Sequence, residues 1–293
     1  MLSVRNVGKM IDGRNILDNI NFDIKEGEIV GLLGRNGVGK TTLLNTLVGI
    51  LDPDSGDVRF EGRDVAKDHN VRKLLYFVPD HTAMFNGYTA KEIIKLHQVL
   101  YTEFDNAKMT TFLKQFNLPF NRSLRSFSRG MKALFFILLS ICSGARLIVL
   151  DEPTNGLDIV VKKQIMQILL EEVSERGLSL IISTHLLHEL EKIADKILLM
   201  KGGRLEMTVS MEEVKRHYKK VQVAYKDGSL ENVAECDYVE LIGQVGRVMT
   251  LLIKEQPEET MKKIWLTNPI LLEELPITLE DIFETVLGED IYV

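Results

Sequence analysis

Cysteine is almost absent from this 293-residue chain: Cys142 and Cys236 are the two present. Two thiols so far apart make neither a disulfide framework nor a cysteine metal cluster, and the expectation is buried or idle side chains. Tryptophan occurs once, at Trp265, and is expected as a packing anchor. Long apolar runs are missing too. The longest, Ala133 to Cys142, has ten residues with Ser140 among them, against about 20 for a membrane-spanning helix. The start, MLSVRNVGKM, lacks the apolar core of a secretion signal, which gives the expectation of a cytoplasmic chain. There is no excess of positive charge. Thirty-six Lys and Arg against 42 Asp and Glu leave −6, which offers nucleic acid no electrostatic footprint as main partner. What remains is ordinary globular composition, 45% hydrophobic and 27% charged, without repeats or low-complexity segments. The length suits one large domain with a smaller appendage.

The patterning is of the α/β class. Ile16 to Ile24 reads as a strand closed by the turn Glu26-Gly27-Glu28. Ile29 to Leu33 is a short continuous apolar run, the mark of a strand buried on both faces. Thr41 to Gly49 reads as a helix ending at glycine, and Val58 to Phe60 and Leu74 to Val78 as strands. From about Thr89 to Ser143 the pattern is mostly helical. Strand-like Leu147 to Leu150, Leu178 to Ser183 and Ile197 to Met200 then alternate with helical Val160 to Ser174 and His188 to Ala194. Such alternation implies a parallel sheet covered on both faces. After about Thr208 the character shifts. Val221 to Tyr225 alternates, Lys226-Asp227-Gly228 is a turn, and Tyr238 to Lys254 reads as a hairpin. Glu258 to Leu266 and Leu279 to Leu287 read as helices. The expected division is 1–208, with a helical portion at about 88–143, and a small α+β appendage at 209–293.

Gly34-Arg35-Asn36-Gly37-Val38-Gly39-Lys40-Thr41 matches G-x-x-x-x-G-K-[ST] between a buried strand and a helix. Triphosphate oxygens need several N–H donors in a small concave space. Glycines let the backbone curl that tightly, and the helix start adds unpaired N–H groups and a positive dipole end. Lys40 brings a full charge toward the β and γ phosphates. The Thr41 hydroxyl is a Mg²⁺ ligand candidate, and Thr42 is placed for an α-phosphate contact.

The strand Leu147 to Leu150 ends in Asp151-Glu152, where an open parallel sheet binds its ligands. Asp151 is expected to hold Mg²⁺ through water, and Glu152 to polarise an attacking water as general base. The strand ending in Thr184-His185 puts a histidine within reach of a γ-phosphate. These features are common to many phosphate-loop enzymes. The discriminating stretch is Ser126-Phe127-Ser128-Arg129-Gly130-Met131. Ser128 is a good N-cap, and Gly130 lets an anion approach the first helical turn, which makes a second anion-binding helix start.

In this order and spacing the motifs resemble the ATP-binding subunits of ABC transporters over about residues 1–208. Phe127-Ser128-Arg129-Gly130-Met131 resembles the family's LSGGQ signature, with the Ser and second Gly kept. Asn155-Gly156-Leu157-Asp158 resembles its D-loop, and His185 its switch histidine. Ser-Arg-Gly-Met and the ending Leu279-Glu280-Asp281-Ile282-Phe283 resemble the ABC-2-type exporter branch. The resemblance implies a P-loop ABC ATPase fold: a mostly parallel central sheet, an antiparallel β subdomain, a helical subdomain and the appendage. It implies ATP and Mg²⁺ as cofactors and a head-to-tail dimer, with itself or a sibling ATPase. Each ATP would lie between one phosphate loop and the other subunit's Ser128 and Gly130, with Asp158 at the same junction. It further implies a transmembrane permease partner at the cytoplasmic membrane face.

Two positions depart from the family pattern. The glutamine expected after Leu75 to Pro79 is Asp80, which keeps a metal-binding oxygen but adds negative charge beside a triphosphate. No aromatic stands near Met10-Ile11-Asp12 to stack on adenine, which leaves Ile11 as an aliphatic contact. An exporter motor accounts for all of these features, with peptides, drugs or lipids as candidate cargo. The alternative is a soluble ABC-type ATPase acting on ribosomes or nucleic acid. One ATP-binding module, no heptad array and the negative net charge disfavour it. A P-loop kinase or GTPase leaves Ser128 to Met131 without a role.

Overall fold

The computed structural model describes residues 1–226 and 238–282. Its N-terminal segment forms a hairpin: Leu2–Ile11 (β1) and Arg14–Ile24 (β2) pair antiparallel around Asp12 and Gly13, both at positive φ (50° and 74°). Ile29–Gly34 (β3) is buried along nearly its whole length and leads through the glycine loop into Lys40–Leu47 (α1). Ser55–Phe60 (β4) returns to pair with β1, and Arg63–Asp64 (β5) extends that sheet to the order β2-β1-β4-β5. His69–Arg72 (α2), capped by the Asp68 carboxylate, precedes Leu75–Val78 (β6).

The helical portion follows. Ala90–Leu100 (α3) starts at a capping box of Thr89 and Glu92. Asn106–Gln115 (α4) is capped by Asp105, and Arg129–Cys142 (α5) by Ser128. Nine residues of α5 are buried, which explains its apolar run without any membrane. The β-α alternation then resumes with Leu147–Asp151 (β7), Ile159–Arg176 (α6), Ser179–Thr184 (β8), Leu187–Leu190 (α7), Lys196–Lys201 (β9) and Arg204–Ser210 (β10). Their sheet has the order β10-β9-β3-β8-β7-β6, with parallel pairing between β9 and β3, β3 and β8, β8 and β7, and β7 and β6. Every residue of β7 and β8 is buried, and their middles, Leu147 to Leu150 and Leu180 to Ile182, read as continuous apolar runs. The hairpin sheet, α1 and the parallel sheet share one core, in which Val4, Leu17, Leu43, Leu47 and Val149 meet. This is the α/β architecture of a P-loop NTPase.

The chain divides into two compact units, Met1–Thr208 and Val209–Val293. The second begins with Met211–His217 (α8), which has a capping box of Ser210 and Glu213. Lys219–Ala224 (β11), Val239–Val245 (β12), Val248–Ile253 (β13), Pro257–Leu266 (α9) and Leu271–Leu275 (β14) complete its described part. The sheet is antiparallel in the order β12-β13-β11-β14, and Ile264 of α9 packs on Val221, Val223, Met249, Leu251 and Ile253.

Several elements differ from the sequence reading. β1, β10, α8 and β14 were not anticipated. The helix expected at His188 to Ala194 is the single turn α7. Trp265 is not a packing anchor: it is 69% exposed, because neighbouring Ile264 takes the core-facing position of α9. Cys142 is buried and its thiol is pushed up to about 12, mainly by burial. Cys236, most of the turn at 226–228, Phe283 and most of the expected helix 279–287 lie outside the described residues. Among the described residues no helix is long and apolar enough to cross a membrane.

Candidate functional site

Strand β3 ends at the glycine loop, and packing dictates two of its glycines. A Cβ on Gly34 would lie 2.7 Å from the Met200 carbonyl oxygen. Gly39 has φ 109°, and a Cβ there would lie 3.0 Å from the Ile16 carbonyl oxygen. Gly39 also opens α1 with no side-chain cap, so the N–H groups of the first turn have no side-chain acceptor. Lys40 is 6% exposed and folds back over the loop, donating to the Gly34 carbonyl at 2.6 Å and the Arg35 carbonyl at 3.4 Å. An ammonium held that deep among carbonyls is a ready counter-charge for an anion. Arg35, Asn36 and Gly37 are exposed at the loop tip. Val38 turns back toward the core, and Thr42 lines the cleft beside Thr41.

The carboxylates come from β7. Asp151, 3% exposed, accepts from the Thr41 hydroxyl at 2.7 Å on Oδ2 and from the Ser183 hydroxyl at 2.6 Å on Oδ1. Glu152 sits at φ 48°, a left-handed conformation unusual for a non-glycine residue. Its Oε2 is 3.0 Å from His185 Nδ1. Its Oε1 is buried without a hydrogen bond, although Lys40 Nζ stands 3.4 Å away. The two observations agree on a carboxylate held by charge, with one oxygen free to accept a proton.

Lys40, Thr41, Asp151 and Glu152 line a cleft of about 1050 Å³ together with Ile11, Ile16, Asp80 and Asn155. Ile11 is 38% exposed at its wall. Asp80, on the same cleft wall, lies 3.4 Å from His81 Nε2 and 3.9 Å from Arg129 Nη2. Ser128, Gly130 and Asp158 line a second hollow of about 480 Å³, with no residue shared with the first. Ser128 Oγ accepts from the Met131 N–H at 3.2 Å. The Asp158 carboxylate accepts from the N–H groups of Val160 and Val161 at 3.0 and 3.1 Å, so within this chain it caps α6. The structure thus brings the phosphate-loop residues, Asp151, Glu152, His185, Asp80 and Ile11 together, and keeps Ser128, Gly130 and Asp158 elsewhere.

The donor set fits Mg²⁺. Thr41 and Asp151 offer hard oxygens side by side, Asp80 offers a third in the cleft, and Glu152 has a buried oxygen without a hydrogen bond. Among the described residues no group of three or more His, Cys, Asp or Glu could hold a metal alone. Sequence reasoning missed Ser183, which had no motif to mark it, and Ile16, hidden inside a strand pattern.

Comparison with known proteins decides the family. The family model described as ABC transporter matches residues 17–155. The ABC transporter ATP-binding protein YtrB of Bacillus subtilis (strain 168) is 31% identical over 288 residues, 98% of each chain. The chain belongs to the ABC transporter ATP-binding proteins. The SkfA peptide export ATP-binding protein SkfE of the same organism is 34% identical over 210 residues, covering 70% of this chain and 87% of its own. The dimeric ATP-binding cassette MJ0796, in a post-hydrolysis state bound to ADP and Pi, superposes with a TM-score of 0.64 at 25% identity, covering 72% of this chain and 99% of its own. As an ABC ATP-binding subunit the chain is an ATPase whose turnover is coupled to transport, and ABC subunits of this kind dimerise and work with transmembrane components.

Proposed function

We propose that this subunit powers a membrane exporter, acting at the cytoplasmic face through ATP-driven closure and reopening of a head-to-tail dimer. The observation that carries the catalytic part is the Glu152 carboxylate, held between Lys40 and His185 with Oε1 unbonded. Glu152 takes a proton from the attacking water. His185, on the other carboxylate oxygen, orients Glu152 and meets the γ-phosphate. Lys40 exchanges its carbonyl partners for phosphate oxygens, and Gly34 to Thr42 wrap the triphosphate. Thr41 and Asp151, with Asp80 at the cleft wall, would hold Mg²⁺, which would supply positive charge against the phosphates.

Dimerisation follows from incompleteness. The hollow at Ser128 and Gly130 has an anion-accepting helix start but shares no wall with the phosphate loop of its own chain. A second copy or a sibling ATPase brings the two together, with Asp158 at the seam. Closure then depends on the γ-phosphate and ends when hydrolysis removes it. Export is favoured by the likeness to SkfE, a peptide-export subunit, so an antimicrobial or amphipathic peptide is the first cargo to test, ahead of drugs and lipids. The partner is a transmembrane permease.

The decisive variant is Glu152→Gln, which removes the base and keeps the shape. Turnover should fall at least about 100-fold, with an ATP-bound dimer accumulating in size-exclusion chromatography. Parental turnover would refute the assignment of the base. Co-purification with a polytopic membrane protein, and peptide efflux lost with Glu152→Gln, test the exporter reading.

A further inference from the structure

Strands β7 and β8 pair in parallel, and the register sets Asp151 beside Ser183. Ser183 is fully buried, and both sides of its hydroxyl are used. It donates to Asp151 Oδ1 at 2.6 Å and accepts from the Glu152 N–H at 3.0 Å. The same N–H also lies 3.2 Å from the Ser183 carbonyl oxygen.

We propose that Ser183 is a positioning residue for ATP hydrolysis, joining the metal-binding carboxylate and the catalytic base into one rigid unit. This rests on the reading above of Asp151 as metal ligand and Glu152 as base. On the Asp151 side, Ser183 occupies Oδ1, so the carboxylate cannot rotate and Oδ2 is presented toward Thr41. On the Glu152 side, a non-glycine residue holds φ 48° only where its surroundings over-determine it. The N–H anchored on Ser183 supplies that constraint. It turns the Glu152 side chain toward Lys40 and His185 rather than along the strand. Thr184, next along β8, faces the other side of the sheet, where its hydroxyl accepts from the Leu186 N–H.

The role separates from a general loss of packing by what it should leave untouched. In the full-length protein, Ser183→Ala should bind Mn²⁺ about tenfold more weakly beside a non-hydrolysable ATP analogue, as expected for a lost hydrogen bond to a buried charge. Mn²⁺ is read by electron paramagnetic resonance. Turnover should fall by a similar factor in kcat, while affinity for the analogue in EDTA stays within about twofold of the parent. Ser183→Thr, which keeps the hydroxyl, should recover most of the Mn²⁺ affinity. Parental Mn²⁺ affinity and kcat in folded Ser183→Ala would overturn the proposal. If that variant fails to fold, Ser183→Cys fills the same space with a weak donor and must show the same two losses; parental values there overturn the proposal equally. Asp151→Asn in the same titration separates the two ideas. Parental Mn²⁺ affinity in Asp151→Asn refutes the metal-ligand reading. A loss in Asp151→Asn without one in Ser183→Ala refutes the positioning role alone.

Discussion

The two helix starts that the proposed function assigns to phosphate, those of α1 and α5, are built differently. At α1, Gly39 caps with nothing, Lys40 supplies buried charge, and Thr41, Asp151, Glu152 and His185 interlock around it. At α5, Ser128 spends its hydroxyl on its own helix, and Asp158 across the hollow spends its carboxylate on α6. The first is a set of charges waiting for a counter-charge. The second is a helix start whose Ser128 and Asp158 side chains are already engaged within their own chain, with Arg129 beside them. On the dimer reading proposed above, the charged pocket recruits nucleotide and the second helix start joins it from another chain.

The sharpest way to break this contrast is a charge at the second start. Gly130 has ordinary φ, and an added Cβ would meet only Val161 at 3.4 Å, so Gly130→Asp should fold. Like charges forced together cost several kcal/mol, so turnover should fall about 100-fold while ATP binding by the single subunit is kept. Loss of binding to the monomer, seen by fluorescent-nucleotide titration, would place Gly130 in the first site instead. A smaller effect belongs to Asp80, whose carboxylate lies near Arg129, the residue next to Ser128. Asp80→Gln should shift the half-saturating Mg²⁺ concentration for turnover by about fivefold, about 1 kcal/mol for one partly exposed charge. Superimposable Mg²⁺ curves would leave Asp80 a solvent-facing loop residue. The smallest effect sharpens the charged pocket. Ile11→Tyr adds a stacking face worth about 0.5–1.5 kcal/mol, so ATP should bind about two- to tenfold tighter. Parental Ile11 should leave modest ATP affinity and weak discrimination against GTP, and a nanomolar ATP-exclusive isotherm would contradict that.

Legibility along the chain tracked burial. β3, β7 and β8 were readable because burial on both faces leaves an unbroken apolar run. β1 escaped notice because it is half exposed, and its register shifts disrupt the alternation. β14 has Glu273 and Glu274 between its leucines, which breaks the two-residue alternation; its pairing with β11 makes it a strand. In the site, Lys40, Thr41, Asp151 and Glu152 were readable because phosphate chemistry restricts residue type and spacing together. Ser183 was not, since a serine in a strand has no signature until its neighbour is known.

Sequence alone determined the phosphate loop, the acidic strand end, the second helix start and the order that joins them. Each is a local requirement: a tight turn needs glycine, and a phosphate needs donors. Tertiary structure alone decided that Asp151 faces Thr41, that Glu152 stands between Lys40 and His185, and that Ser183 ties the two carboxylates together. It also decided that Ser128 and Gly130 lie in a hollow apart from the phosphate loop. Those facts come from strand register and helix packing, which bring together residues from about thirty to over a hundred positions apart, and no local pattern encodes them.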